Sequence, residues 1–219
     1  QWDVLLSLDE EGNIQAVLPY LLRQRAWMKY IIMPQQTQIG GIWIDDTVSN
    51  NEKKVAEISL DFANQLNEMG LSYYYQHYPI GSPMVEHMRA MQFSITERAT
   101  YRIEDLTDLD AVINGFSKNK KRQLQKALSL HVDYNMCVED FYRFHVKCLQ
   151  EKGKQITYTR EFLLVLERKT ARLQQSQIVS ICNADNEVLA AAFLVWDNHS
   201  MYYLIPCYLP SQKDSGASA

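Results

Sequence analysis

The chain has 219 residues, 47% of them hydrophobic and 22% charged, with a formal net charge of −4. That length builds one large domain or two small ones, and the apolar and charged fractions are those of an ordinary soluble globular protein. The acidic balance argues against general nucleic-acid binding, DNA included, because such proteins carry an overall basic charge; it leaves room for a local basic patch.

No apolar run approaches the roughly 18 residues that span a bilayer, so no transmembrane segment is expected. The chain opens on Gln1-Trp2-Asp3-Val4 with neither an initiator Met nor a basic leader segment, and it closes on Ser215-Gly216-Ala217-Ser218-Ala219. It is therefore expected to be part of a longer, cytoplasmic polypeptide. The four cysteines, Cys137, Cys148, Cys182 and Cys207, are widely spaced. A zinc site needs closely paired ligands, so no metal is expected and the thiols read as half-buried side chains in a reducing compartment.

Residues 4–8 and 14–22 read as strands joined by the acidic turn Asp9-Glu10-Glu11-Gly12-Asn13, and a third strand follows at 28–33, closed by Pro34. Ser49-Asn50-Asn51-Glu52 has the pattern of a capping box, with Ser49 as the helix cap. Val55, Ile58, Phe62, Leu66 and Met69 then recur at helical spacing, and Gly70 is placed to end that helix. The aromatic run 71–78 predicts a strand stopped by Pro79, followed by a short helix at 83–91 and a strand near 93–103.

Beyond about residue 105, Ser117 is placed to cap a basic helix through Leu130, and His131–Met136 reads as a strand. Helical periodicity recurs at 138–151 and 159–175. Three strands, 177–182, 188–196 and 200–207, close the chain.

The two ends of the chain resemble each other. Leu5-Leu6-Ser7-Leu8 matches Ile178-Val179-Ser180-Ile181, Ile14-Gln15-Ala16-Val17-Leu18 matches Val188-Leu189-Ala190-Ala191-Ala192 after one residue is dropped from the turn, and Met28–Ile32 matches Met201–Ile205. A repeat over so long an interval implies two similar lobes, not a solenoid.

This order of elements resembles the GNAT acyltransferases, and two such lobes in one chain resemble the FemAB-type transferases, which move amino acids onto peptidoglycan precursors. Three segments carry the resemblance: Pro34-Gln35-Gln36-Thr37-Gln38-Ile39-Gly40-Gly41, the basic stretch Phe116–Arg122 with Lys126-Ala127, and Tyr202-Tyr203 leading to Ser215-Gly216-Ala217-Ser218. The resemblance implies an α/β (α+β) fold of two GNAT-like lobes, at 1–104 and 105–219, the second incomplete. Each would be a mostly antiparallel mixed sheet flanked by helices. It also implies transfer of an acyl or aminoacyl group from acyl-CoA or aminoacyl-tRNA to a small-molecule or peptide amine. The acyl-CoA loop of GNAT enzymes (Arg or Gln, two residues, Gly, one residue, Gly or Ala) is not matched by Gln38-Ile39-Gly40-Gly41 and is matched only in degenerate form by Lys213–Ser218.

Lys118, Arg122 and Lys126 share one helix face in a stretch, Ala111 to Val132, that has no acidic residue. They could grip phosphates of a tRNA, a nucleotide-linked precursor or a cofactor, or be a solvated face. Gln35, Gln36 and Gln38 could line a cleft with their amides, and Tyr203, Lys213, Ser215 and Gly216 complete the candidate binding set. The aromatic run 73–78 reads as sheet packing. The five histidines are scattered without a nucleophile and acid partner, so no catalytic triad is expected. GNAT-type transfer needs none, since positioning the amine and removing its proton suffice. A binding module that keeps the lobes only as a scaffold is the rival reading.

Overall fold

A computed structural model describes residues 2–218, which divide into two compact units at Thr100/Tyr101. In the first unit the strands β1 (Trp2–Leu8), β2 (Ile14–Arg25) and β3 (Met28–Ile31) form an antiparallel meander. The short β4 (Trp43–Ile44) pairs with β2 at Ala16 and Val17. After α1 (Asp46–Ser49) and α2 (Glu52–Glu68), β5 (Tyr73–Tyr74) joins β3 in parallel, and α3 (Met84–Ala90) follows.

One face of this sheet forms the core. Leu5, Ala16, Leu18, Tyr20 and Ile31 meet Ile58, Phe62 and Leu66 from α2 and Met84 and Met88 from α3. Burying each large side chain is worth about 1.5–3 kcal/mol, which is why the three-and-four spacing of α2 decides where that helix lies. Gly70 ends it as expected, at φ +63, a conformation that costs glycine nothing. The cap is corrected: Ser49 closes α1, and Asn51 is the residue whose side chain accepts from Lys54 N at 3.1 Å. The helical turn α1 in front of it takes the serine out of the capping position.

In the second unit, α4 (Leu109–Gly115) and the basic α5 (Lys118–Ala127) precede β6 (His131–Asp133), α6 (Val138–Glu151) and α7 (Arg160–Arg172). The strands β7 (Ser176–Cys182), β8 (Val188–Trp196) and β9 (Met201–Tyr208) complete a sheet of order β6-β7-β8-β9 that is antiparallel throughout. Phe141 and Cys148 of α6 and Leu163 of α7 pack on Ile178, Ala191, Phe193, Ile205 and Cys207. A single 3-10 turn, Pro210–Gln212, follows β9.

Four expected strands are shorter or missing, the one at 28–33 ending already at Ile31. The run 71–78 pairs as a strand only at Tyr73–Tyr74, because β3 stops at Ile31 and offers no ladder beyond it. No strand forms across 93–103; Phe93 and Ile95 instead pack on the core from an irregular segment. The expected β6 ends at Asp133, whose carboxylate accepts from Asn135 N at 3.0 Å and turns the chain. Neither α1 nor α4 follows from the sequence pattern.

The repeat is real in the first two strands, but one residue out of the expected register. β1 and β2 are joined by five residues, with an irregularity that sets Ser7 opposite Ala16 and Leu8 opposite Ile14. β7 and β8 have the same loop length and the same irregularity, with Ile181 opposite Ala190 and Cys182 opposite Val188. Leu8 thus corresponds to Cys182, not to Ile181, and no residue is dropped from the turn. The third strands differ. β2 runs on to Arg25 and turns through Ala26-Trp27, whereas β8 ends at Trp196 and β9 is itself irregular opposite Phe193/Leu194.

Candidate functional site

Both units hold concentrations of polar chemistry. In the first, the parallel pair β3–β5 comes apart. Tyr75 N still donates to Ile31 O at 2.9 Å, but the next inward-facing amide, His77 N, finds only the Met33 sulfur at 3.3 Å. The loop after Pro34 folds back against this strand end, and Gly40 N donates to His77 O at 2.8 Å. The approach is so close that a Cβ on Gly40 would lie 2.7 Å from the Gln76 amide nitrogen, and one on Gly41 2.9 Å from the Tyr78 ring. The two glycines are there because backbone meets side chain.

Side chains alternate along 74–78 and form two separate networks. On one side, Tyr74 Oη donates to Gln76 Oε1 at 2.6 Å, and the Gln76 amide nitrogen donates to Pro19 O at 3.3 Å. Tyr74 spends its proton there, so in the 2.5 Å contact between the two phenols it is Tyr78 that donates. Burial pushes Tyr78 up to about 12 and raises Tyr74 further, with the neighbouring Tyr78 adding to the effect, so both stay protonated.

On the other side, Tyr75 Oη lies 2.7 Å from His77 Nε2, and His77 Nδ1 lies 3.1 Å from Gln38 O. A carbonyl can only accept, so Nδ1 carries the proton and Nε2 accepts from the Tyr75 hydroxyl. A half-buried phenol backed by an imidazole of defined tautomer can take a proton at the phenol oxygen while passing its own to Nε2.

In the second unit, Ser117 caps α5 by accepting from Lys120 N at 3.3 Å. Lys121 Nζ reaches Asn114 O at 2.9 Å and Lys126 Nζ reaches Asp214 O at 3.3 Å, while Lys118 and Arg122 are exposed. Among the described residues none of the basic side chains of α5 is in an ion pair. The segment after β9 lies on this helix: a Cβ on Gly216, at φ +85, would stand 2.4 Å from Gln123 O. Ser215 Oγ donates to Gln212 O at 2.7 Å and accepts from Ala217 N at 3.2 Å.

The structure therefore brings Lys126 together with Ser215 and Gly216, and leaves Lys213 exposed at the end of the 3-10 turn. Tyr203 stands exposed on β9 opposite Leu194. Gln36, at φ 56, shapes the turn closed by Thr37 N on Pro34 O, and Gln35 and Gln38 are exposed on the same loop. Gln38 contributes its backbone carbonyl to His77 rather than its amide. Tyr75 and His77, which read from the sequence as sheet packing and a scattered histidine, are the pair that sequence reasoning misses. Their alternation with Tyr74, Gln76 and Tyr78 is the available signal.

Among the described residues no group of three or more His, Cys, Asp or Glu side chains could hold a metal ion, and no helix is long and apolar enough to cross a membrane.

No family model and no curated protein matches the sequence. Among solved structures the chain is similar to that of FemX, at 11% identity with a TM-score of 0.62, covering 99% of this chain and 73% of FemX. It also matches L-PGS from Bacillus licheniformis at 12% identity with a TM-score of 0.46, covering 97% of this chain and 62% of that one. The expectation of a FemAB-type architecture holds for the fold: the chain has two GNAT-like α/β lobes, folded as in FemX.

Proposed function

We propose that the protein transfers an aminoacyl group from aminoacyl-tRNA to an amine acceptor. The observation that carries this reading is the likeness to FemX over 99% of the chain, together with the transfer of amino acids that resemblance to the FemAB type implies. In the step, the acceptor amine forms a C–N bond to the aminoacyl carbonyl, and the ester C–O bond to the tRNA breaks. The amine's proton passes through Tyr75 to His77 Nε2, the departing ribose oxygen takes a proton from solvent, and the imidazolium returns its own to solvent, so the step is proton-neutral overall. The exposed Lys118 and Arg122 bind phosphate, an interaction that needs no particular base sequence.

Aminoacyl-tRNA is favoured over acyl-CoA because a pyrophosphate needs free backbone amides. Gly40 N is taken by His77 O and Ala217 N by Ser215 Oγ, in the two segments where such a loop would lie. The test presents the protein with radiolabelled aminoacyl-tRNA or acetyl-CoA and a lysine-containing peptide precursor. Transfer of label from the charged tRNA alone is expected. Turnover of acetyl-CoA would replace this reading with the acyl-CoA one, and binding of the acceptor without transfer from either donor would leave a binding module.

A further inference from the structure

The hairpin of β2 and β3 outruns its sheet. Among the described residues β1 reaches along β2 only as far as Trp2, opposite Leu21, and β5 pairs with β3 only from Tyr73, opposite Tyr30. The last backbone bond on that side runs from Ser72 N to Lys29 O at 2.8 Å. Residues 23–29 therefore project past both neighbours as a two-stranded ribbon, turned at Ala26-Trp27 with Ala26 at φ 52, and every one of them is exposed. The second unit has no counterpart: β8 is 9 residues long against 12 in β2, and its turn, Asp197–Ser200, carries a carboxylate and no Lys or Arg.

The chemistry of the ribbon is graded from its tip. Trp27 stands in the turn itself, 82% exposed, with Met28 beside it. Behind them come Arg25, Lys29 and Arg23, set across the ribbon from Met28, Gln24 and Tyr30. At about 3.3 Å per residue these cations lie within about 10 Å of the turn. Tyr30 and its neighbour Tyr73 follow, on the sheet face opposite the one where Leu22, Ile31 and Tyr74 meet the core. No acidic residue occurs between Glu11 and Asp45, and among the described residues none of the three cations is in an ion pair. A positive tip thus stands on a chain whose net charge is −4.

An anionic bilayer meets these layers in order. An indole settles at the boundary between headgroups and acyl chains, and long-stemmed cations behind it reach the lipid phosphates. A nucleic acid presents the reverse order, phosphates outermost and bases within, and base stacking calls for a platform along a basic groove, which a two-stranded tip lacks. We infer that the β2–β3 ribbon docks the protein on a membrane surface of anionic phospholipid, with Trp27 and Met28 inserted at the headgroup boundary and Arg23, Arg25 and Lys29 on lipid phosphates. The contact is peripheral and reversible, and it does not depend on which group the protein transfers.

The test mixes the complete natural polypeptide with vesicles of phosphatidylcholine alone, or of phosphatidylcholine and phosphatidylglycerol in equal parts, and measures co-sedimentation. Binding to the mixed vesicles is expected, with little to phosphatidylcholine alone. Trp27→Ala, and separately Arg25→Gln with Lys29→Gln, should each weaken it about tenfold, at an unchanged melting temperature because these positions are exposed. Lipids brominated on their acyl chains should quench tryptophan emission in the wild type and much less in Trp27→Ala. Failure of the wild type to sediment with the mixed vesicles, equal sedimentation of wild type and variants, or quenching unchanged by Trp27→Ala overturns the inference. So does an Arg25→Gln, Lys29→Gln protein that loses tRNA binding while keeping vesicle binding, which would assign the ribbon to RNA.

Discussion

Tyr75 Oη stands 2.7 Å from His77 Nε2, and the other ring nitrogen of that histidine is held 3.1 Å from Gln38 O. The pair is therefore poised in one direction: any proton gained by the phenol oxygen leaves through the imidazole.

Tyr75→Phe keeps the ring that stacks on Tyr73 at 6.3 Å but removes the hydroxyl. We expect kcat/KM for aminoacyl transfer to fall about 100-fold or more, the usual scale of a missing proton-transfer group, with the melting temperature little changed. His77→Gln removes the acceptor of the Tyr75 hydroxyl and should lower kcat/KM on a similar scale. A wild-type rate in Tyr75→Phe would remove the phenol from the mechanism.

Binding of tRNA should depend on α5. Lys118→Glu with Arg122→Glu is the cleaner variant, because Lys126 also anchors Asp214 O. Affinity is expected to drop at least tenfold at low salt, and the slope of log K against log salt to flatten by about 2, roughly one for each phosphate no longer neutralised. An unchanged slope would make these residues a solvated face.

Gly216→Ala meets two obstacles together, a left-handed backbone at φ +85 and the Gln123 carbonyl 2.4 Å from the new Cβ. The cost expected is about 1–3 kcal/mol. Hydrogen exchange should show it as faster opening of the C-terminal segment and of α5, with β1 and β2 unaffected.

Stability should fall as the medium is acidified through the ordinary histidine range, and His145 is a cause. Burial, then the nearby Lys152 charge, lowers its pKa below 6.5, and its ring meets the Tyr158 hydroxyl at 2.6 Å. The unfolded chain therefore takes up a proton that the folded one refuses. Stability from this group is whole above the unfolded pKa and declines as pH drops from there toward the folded value. His145→Gln should flatten the dependence of chemical denaturation midpoints on pH in that window; an identical slope would show that other groups dominate.

Asn51→Ala should destabilise the first unit by about 1 kcal/mol, the typical loss of a helix cap, whereas Ser49→Ala should cost much less, since Ser49 only closes α1 onto Asp46 O at 3.2 Å. Urea unfolding of the two variants separates the caps.

The elements that depend on local periodicity are legible without coordinates. The alternation of 14–22 and the apolar run of 188–196 become β2 and β8, and the three-and-four spacings become α2, α6 and α7. Those patterns follow from the repeat lengths of strand and helix and from which face must leave water. The two-lobed resemblance follows from their order.

What only the tertiary structure decided depends on where distant segments meet. The Tyr74 and Tyr75 networks exist because β3 stops at Ile31 and the loop after Pro34 returns to it, joining His77 to a carbonyl 39 residues away. Gly216 matters because the chain end lies on α5, and the register of the repeat is settled by paired backbone amides that carry no sequence signature. Side-chain periodicity is a local property and survives in the sequence; hydrogen-bond partners across loops are set by the path of the chain, and that path is fixed only when both cores have closed.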